Sequence, residues 1–296
     1  MKTVYELVRR NVKNFFKDKA MFITSLITPV ILLVLYVIFL GDVYRDSFLS
    51  SLPAGIELPD RLVSGLVGGQ LVSSILAVSC ITVSFCSGFL SVQDKALGSV
   101  KDFAISPVKP WQMSLGYYIS NLFSSLIICT FATLIGFVYL WIVGWYISFA
   151  DLLLFILDVI LLTVFGTVLA TFINCFLSTQ AQISAVGTIV SSGYGFISGA
   201  YMPISSFADG LQKVISLLPG TYGTSLLRNH ALRGVISELK EEGIPKEAID
   251  GICDLLDCNV YAFGEKVAEP FMYLILLGAT VVFATAYLLI NRRRKI

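Results

Sequence analysis

Five stretches of this chain carry no charged side chain at all: residues 20–40, 62–92, 110–150, 159–208 and 270–290, with 21, 31, 41, 50 and 21 residues. In hydrocarbon every backbone N–H and C=O must find its partner inside the protein. A helix of about 20 residues, rising 1.5 Å per residue, crosses an apolar core of about 30 Å. Runs of this length therefore read as transmembrane helices. Residues 20–40 make one span. The run 110–150 is too long for a single crossing, so it divides into a span at 113–140 and a tight turn at 141–148, where Trp141, Trp145 and Tyr146 read as an interfacial aromatic belt. The polar break Ser178-Thr179-Gln180-Ala181-Gln182 divides the next run in the same way. The reading is an all-α membrane protein, one transmembrane domain of six spans at 20–40, 62–92, 113–140, 151–176, 181–201 and 270–290. Both ends then lie on one side.

Charge sorts by side. Only 14% of residues are charged, against about 25% in an ordinary soluble domain, and the net charge of +1 makes no case for nucleic acid as a partner. The side with both termini holds 13 Lys and Arg, including the run Arg292-Arg293-Arg294-Lys295, while the other holds eight, six of them in the long segment 203–269. Long segments weigh little in this rule, so the termini are expected in the cytoplasm of a cell-membrane protein. Residues 3–17 are amphipathic: Val4, Leu7, Val8, Val12, Phe15 and Phe16 fall on one face, and Arg9, Arg10, Lys13 and Lys17 on the other. Such a helix lies in the membrane surface with its basic face on anionic lipid headgroups. The first apolar run is too long, and lacks a small-residue cleavage site, to be a signal peptide. Pro29 is expected to kink the first span, and residues 41–61, with Asp42, Arg45, Asp46, Glu57 and Asp60, read as an exposed loop. Residues 62–92 are rich in Ser and Gly, as in a helix packed closely among others.

Between two of these spans lies a charged island, residues 93–111, QDKALGSVKDFAISPVKPW. Leu97, Val100, Ala104 and Ile105 recur at helical spacing with charges between them, and Pro107 and Pro110 stop the pattern. A short helix that docks on a partner fits this better than a plain turn.

The run from Asp94 to Pro107 resembles the cytoplasmic loop of type-2 ABC exporter permeases, where an acidic helix ends in Ser-Pro between spans two and three. A second match, Ser198-Gly199-Ala200-Tyr201-Met202-Pro203 through Leu211-Gln212 to Leu218-Pro219-Gly220-Thr221-Tyr222 and Arg228, is similar to the family's end of span five and its short re-entrant helices. The resemblance implies a half-transporter: two permease subunits form the pathway, as a homo- or heterodimer, and two cytosolic ATPase subunits drive it by pushing on the loop helix. It assigns ATPase coupling to Asp94, Lys95, Gly98, Lys101, Asp102, Ser106 and Pro107. The family's second acid would fall on Ala96, so one charge contact is altered. ATP and Mg would sit on the partner subunits, with no cofactor in this chain, which contains no Gly-Lys pair and hence no phosphate loop.

Elsewhere the chemistry is sparse. His230, the only histidine, has no clustered Cys or carboxylates in sequence and reads as a surface residue. Cys80, Cys86, Cys129 and Cys175 read as small packers within spans. Cys253 and Cys258 fall in the outer segment and form a candidate disulfide if the compartment is oxidising, or remain reduced thiols. Asp158 follows Asp151 by two helical turns, so both face one way. A carboxylate at depth costs about 2.5–3.5 kcal/mol. Asp151 reads as an N-cap at the outer interface, and Asp158 either faces a wet substrate cavity or pairs with a polar neighbour. Residues 203–268 are expected to form an outer lid: an apolar helical hairpin, then a helix starting near Pro245 with Ala248, Ile249, Ile252, Leu255 and Leu256 at helical spacing. The function that fits is an ATP-driven exporter permease, with no ATPase site of its own, for a drug-like amphiphile, peptide or lipid-linked molecule. The alternative is an ion-coupled secondary transporter with Asp158 as coupling site.

Overall fold

The computed structural model describes residues 2–51, 58–100, 108–262 and 264–293. Twelve α-helices carry the fold among them: α1 (Lys2–Lys17), α2 (Lys19–Leu35), α3 (Gly41–Ser51), α4 (Asp60–Gly88), α5 (Leu90–Ala96), α6 (Pro110–Val143), α7 (Phe149–Asn174), α8 (Gln180–Ile197), α9 (Asp209–Ser216), α10 (Pro219–Glu241), α11 (Lys246–Leu255) and α12 (Glu269–Arg293). A two-stranded antiparallel ribbon, Tyr261–Ala262 with Glu265–Lys266, leads into α12. Five helical stretches are long and apolar enough to cross a membrane: Lys19–Ser50, Asp60–Ala96, Pro110–Val143, Phe149–Asn174 and Glu269–Asn291. Helix α8 is 18 residues long, about 27 Å. Gln180, Gln182, Ser184, Thr188, Ser191 and Ser192 keep it out of that set.

Helix α4 is the axis of the bundle. It packs against α2, α6, α7, α8 and α10, and nearly all its side chains are buried. Its small residues allow this. A Cβ on Gly69 would lie 2.5 Å from Leu232 Cδ2 of α10, and one on Gly166 of α7 would lie 2.8 Å from the Cys80 carbonyl oxygen of α4. Helices in lipid gain little from hydrophobic transfer, so such backbone approaches supply the packing that holds them.

The structure corrects three local expectations. Residues 41–51 are not loop: a π-helical turn, Tyr36–Leu40, runs straight into α3. The reason lies at helical spacing, since Tyr36 stacks on Tyr44 at 5.5 Å and Phe48 is buried below them, while Asp42 and Asp46 point outward. The apolar face of α1 is not given over to lipid. Val4, Leu7 and Phe15 are buried, and α1 lies along α6 where Gly116 makes room for Leu7. Asp151 is not the N-cap of α7; Ser148 is, its Oγ accepting from the Asp151 N–H at 3.1 Å.

Contacts define two ends of the bundle. The start of α1, α5, the start of α6 and the end of α12 meet at one end, which carries both described chain ends. The opposite end gathers the α6–α7 turn, the end of α10 and the start of α12. Helix α10 begins deep and rises: Gly220 lies against Tyr194, Gly223 against Leu162, and Gly234 against the Tyr146 carbonyl in the α6–α7 turn. Tyr146 is thus drawn inward from the expected aromatic belt, whereas Trp141 stays 76% exposed.

Candidate functional site

At the end with the termini, α4 runs through Phe89 into α5, so the first charges of the island extend a span instead of opening a separate helix. Asp94 is buried. Arg10 of α1 donates to it from Nη1 at 2.8 Å and Nη2 at 3.4 Å, and the Tyr117 hydroxyl of α6 donates at 2.5 Å. One carboxylate therefore clamps three helices. Lys95 Nζ donates to the Asn174 and Leu177 carbonyls at 3.1 and 3.3 Å, where α7 ends and its carbonyls lack helical partners. Gly98 then turns the chain at φ +79°, a left-handed conformation that glycine adopts without Cβ strain. Leu97 beside it is 73% exposed. Lys101, Asp102, Ser106 and Pro107 lie outside the described residues.

A cavity of about 150 Å³ with a mixed polar and apolar lining adjoins this clamp, bordered by Ser87, Leu90, Met113, Tyr117, Asn121 and Asn291 among others. The buried Asn121 and Asn174 amide nitrogens converge on Gly88 without an acceptor among the described residues.

Asp158 lies at the opposite half, buried with 1% exposure. Both its oxygens are taken: His230 Nδ1 of α10 is 2.5 Å from Oδ2, and the Tyr273 hydroxyl of α12 donates to Oδ1 at 2.6 Å. His230 is also 1% exposed, which overturns its reading as a surface residue. Its Nε2 faces Glu269 at 3.9 Å. Arg233 completes the chain, donating to Asp151 at 2.7 Å and to both Glu269 oxygens at 2.7 and 2.8 Å, while Ser148 Oγ donates to the other Asp151 oxygen at 2.6 Å. Three helices thus share three carboxylates, one arginine, one histidine and one tyrosine. Each contributes two at helical spacing: Asp151 and Asp158, His230 and Arg233, Glu269 and Tyr273. That spacing is the signal that could have found His230.

A third network surrounds Arg228 of α10, whose side chain is fully buried. It donates to Asp257 at 3.1 Å, to Ser74 Oγ of α4 at 3.2 Å, and to the Gly199 carbonyl just past α8. Asp257 also accepts from the Ile204 N–H at 3.0 Å. Burial pushes the Asp257 carboxyl up to about 6, with Arg228 and that N–H pulling it back down. Gly199, at φ +72°, cannot carry a side chain here, since its Cβ would lie 2.7 Å from the Asp257 carboxylate.

Cys253 and Cys258 are neighbours at the end of α11, linked by a backbone hydrogen bond of 2.9 Å, and both are free thiols. A separate hydrogen bond between the two thiols lowers the pKa of Cys253, and with burial raises that of Cys258.

None of these groups makes a metal cluster among the described residues. The Asp158–His230 pair points its free nitrogen at a carboxylate and not at a nucleophile, so it is suited to locking helices together. Charges buried in this way hold only when fully paired. Comparison with curated proteins finds no match. The sequence model of the ABC-2 type transporter family matches residues 2–231, from α1 through most of α10 and across all but one of the membrane-length helices. With that match over most of its length, the chain belongs to the ABC-2 type transporter family and is a multi-pass permease subunit of an ABC transporter.

Proposed function

We propose that the protein is the permease of an ATP-driven exporter, forming half of a pathway for an amphiphilic molecule, with its termini in the cytoplasm and two separate ATPase subunits beneath it. A second permease subunit completes the pathway. Helix α8 is taken as the fifth of six crossings, because its length matches the bilayer core and its polar residues suit a face turned to another subunit or to substrate. The pair α9 and α10 is taken as the re-entrant hairpin, supported by the depth at which Gly220 and Gly223 meet Tyr194 and Leu162. Helix α11 and the ribbon would cap it as a lid.

The observation that carries the coupling role is the clamp on Asp94. A push on the loop beyond Gly98 reaches α5, and through Asp94 it moves α1 and α6 together, while Lys95 transmits it to the end of α7. Asp94 and Lys95 then act from inside the fold. The surface offered to the ATPase is Leu97 with Gly98, Lys101, Asp102, Ser106 and Pro107. Asp158 is a positioning residue in this reading, since both its oxygens are engaged and neither is left for a coupling ion.

In proteoliposomes containing the permease with its ATPase subunits, L97D together with K101E should abolish substrate-stimulated ATP hydrolysis and transport, with membrane insertion and thermal stability unchanged. Normal coupling in that variant would refute the assignment.

A further inference from the structure

Helices α2 and α6 both pack on α4 and leave a slot between them of about 510 Å³. Its walls are Leu26 and Val30 on one side and Ile127 and Phe131 on the other, with Val72 and Ile75 as its floor. The lining reaches from Phe22 to Leu33 on α2 and from Ile127 to Tyr139 on α6, roughly 17 Å along the helix axes. Apolar cavities do not hold water, so in a bilayer this slot takes hydrocarbon.

The mouth of the slot settles which hydrocarbon. Phe16 of α1 packs on Phe22 there, with ring centroids 5.8 Å apart. Lys13, Lys17 and Lys19 lie within three residues of Phe16 in sequence, are exposed, and make no ion pair among the described residues. The one acid between them, Asp18, is turned to the Met21 N–H as the N-cap of α2. A long apolar slot whose end at Phe16 is flanked in sequence by three unpaired cations matches a molecule with an acyl chain and an anionic head.

We propose that one anionic phospholipid binds here, an acyl chain lying between α2 and α6 and its phosphate held by Lys13, Lys17 and Lys19. The lipid then acts as a wedge that fixes α1 and α2 against α4 and α6. This holds independently of what the permease transports.

The test is native mass spectrometry of the full chain taken from nanodiscs of equal parts dioleoylphosphatidylglycerol and dioleoylphosphatidylcholine. The wild type should retain one phosphatidylglycerol per chain. Replacing the three lysines (K13Q, K17Q, K19Q) should weaken that preference about fivefold per lysine, since each basic side chain near an anionic surface contributes on the order of 1 kcal/mol. A132W fills the slot from a half-buried position and should abolish retention of either lipid; V30W, at an exposed wall position, does the same from α2 if A132W folds poorly. Equal retention of both lipids by the wild type, or undiminished phosphatidylglycerol in the triple lysine variant, would overturn the headgroup site. Lipid retained in the tryptophan variants would overturn the slot. Loss of association between permease copies in those variants, with lipid unchanged, would instead make the slot a subunit interface.

Discussion

Removing the Asp158 carboxylate tests whether the buried network is a lock or a piece of the pathway. In D158A the Tyr273 hydroxyl and His230 Nδ1 lose hydrogen bonds of 2.6 and 2.5 Å; His230 is 1% exposed and is left stranded, while Tyr273 is only half-buried. A buried stranded group costs about 1–3 kcal/mol and the half-buried hydroxyl less, so the lock reading gives about 2–4 kcal/mol of lost stability. At about 2–4 °C per kcal/mol for a chain of this size, the thermal unfolding midpoint in detergent should fall on the order of 10 °C. D158N should cost less, because the amide oxygen still accepts from Tyr273 while the amide nitrogen faces the imidazole. Pairing must also show as non-additivity: D158A with H230A should be less damaging than the sum of the two, by about 0.5–3 kcal/mol. Differential scanning fluorimetry on the purified permease reads the four variants against wild type, and transport in proteoliposomes reads function per folded molecule. An unfolding midpoint within a degree of wild type, with transport lost, would refute the lock and place Asp158 in the pathway.

Other outcomes follow from the same geometry. R228A leaves Asp257 buried without its cation and should cost about 3–5 kcal/mol, measured by thermal unfolding; a loss below 1 kcal/mol would mean that Ser74, Gly199 and Asp257 do not depend on it. Asp257 has a folded pKa raised from 3.8 to about 6, so it binds more protons folded than unfolded between those values. Its contribution to stability is full below about pH 4 and is lost as pH rises through 6. The stability of wild type relative to D257N should therefore fall by about 2 kcal/mol from pH 4 to 7, and a flat difference would refute this. Arg10→Asp should disrupt the clamp and Asp94→Arg should do the same, whereas the double swap should recover part of the lost stability and coupling; equal loss in all three would show that the pair is not a unit. Cys253, the half-buried thiol with the lowered pKa, should react with a membrane-impermeant maleimide before Cys258, and only from outside the cell; labelling only from the cytoplasmic side would reverse the proposed orientation.

The membrane class and the positions of five apolar helices are legible before folding, because the cost of a charge in lipid leaves its record directly as long uncharged runs. The sequence also carries the family, because the loop and the segment from Ser198 to Arg228 keep their order and spacing. It placed Asp158 as an anomaly and its face relative to Asp151, since helical periodicity alone fixes that. What it did not contain was the partner. His230 reads as a surface residue because the segment around it is polar, yet α10 buries that polarity by reaching down beside α7 and α12, where each helix offers a pair of charged or hydroxyl side chains at matching depth. Asp94 likewise reads as a surface acid in a charged island, and only the folding of α1 back over α6 brings Arg10 and Tyr117 to it. The extension of the first span through Tyr44 and Phe48 was hidden for the same reason: a few buried aromatics at helical spacing outweigh the acids between them once α4 is there to pack against. Apolar runs are selected by the solvent and are legible one residue at a time, whereas an ion pair depends on two segments meeting, and that distance exists only in the folded chain.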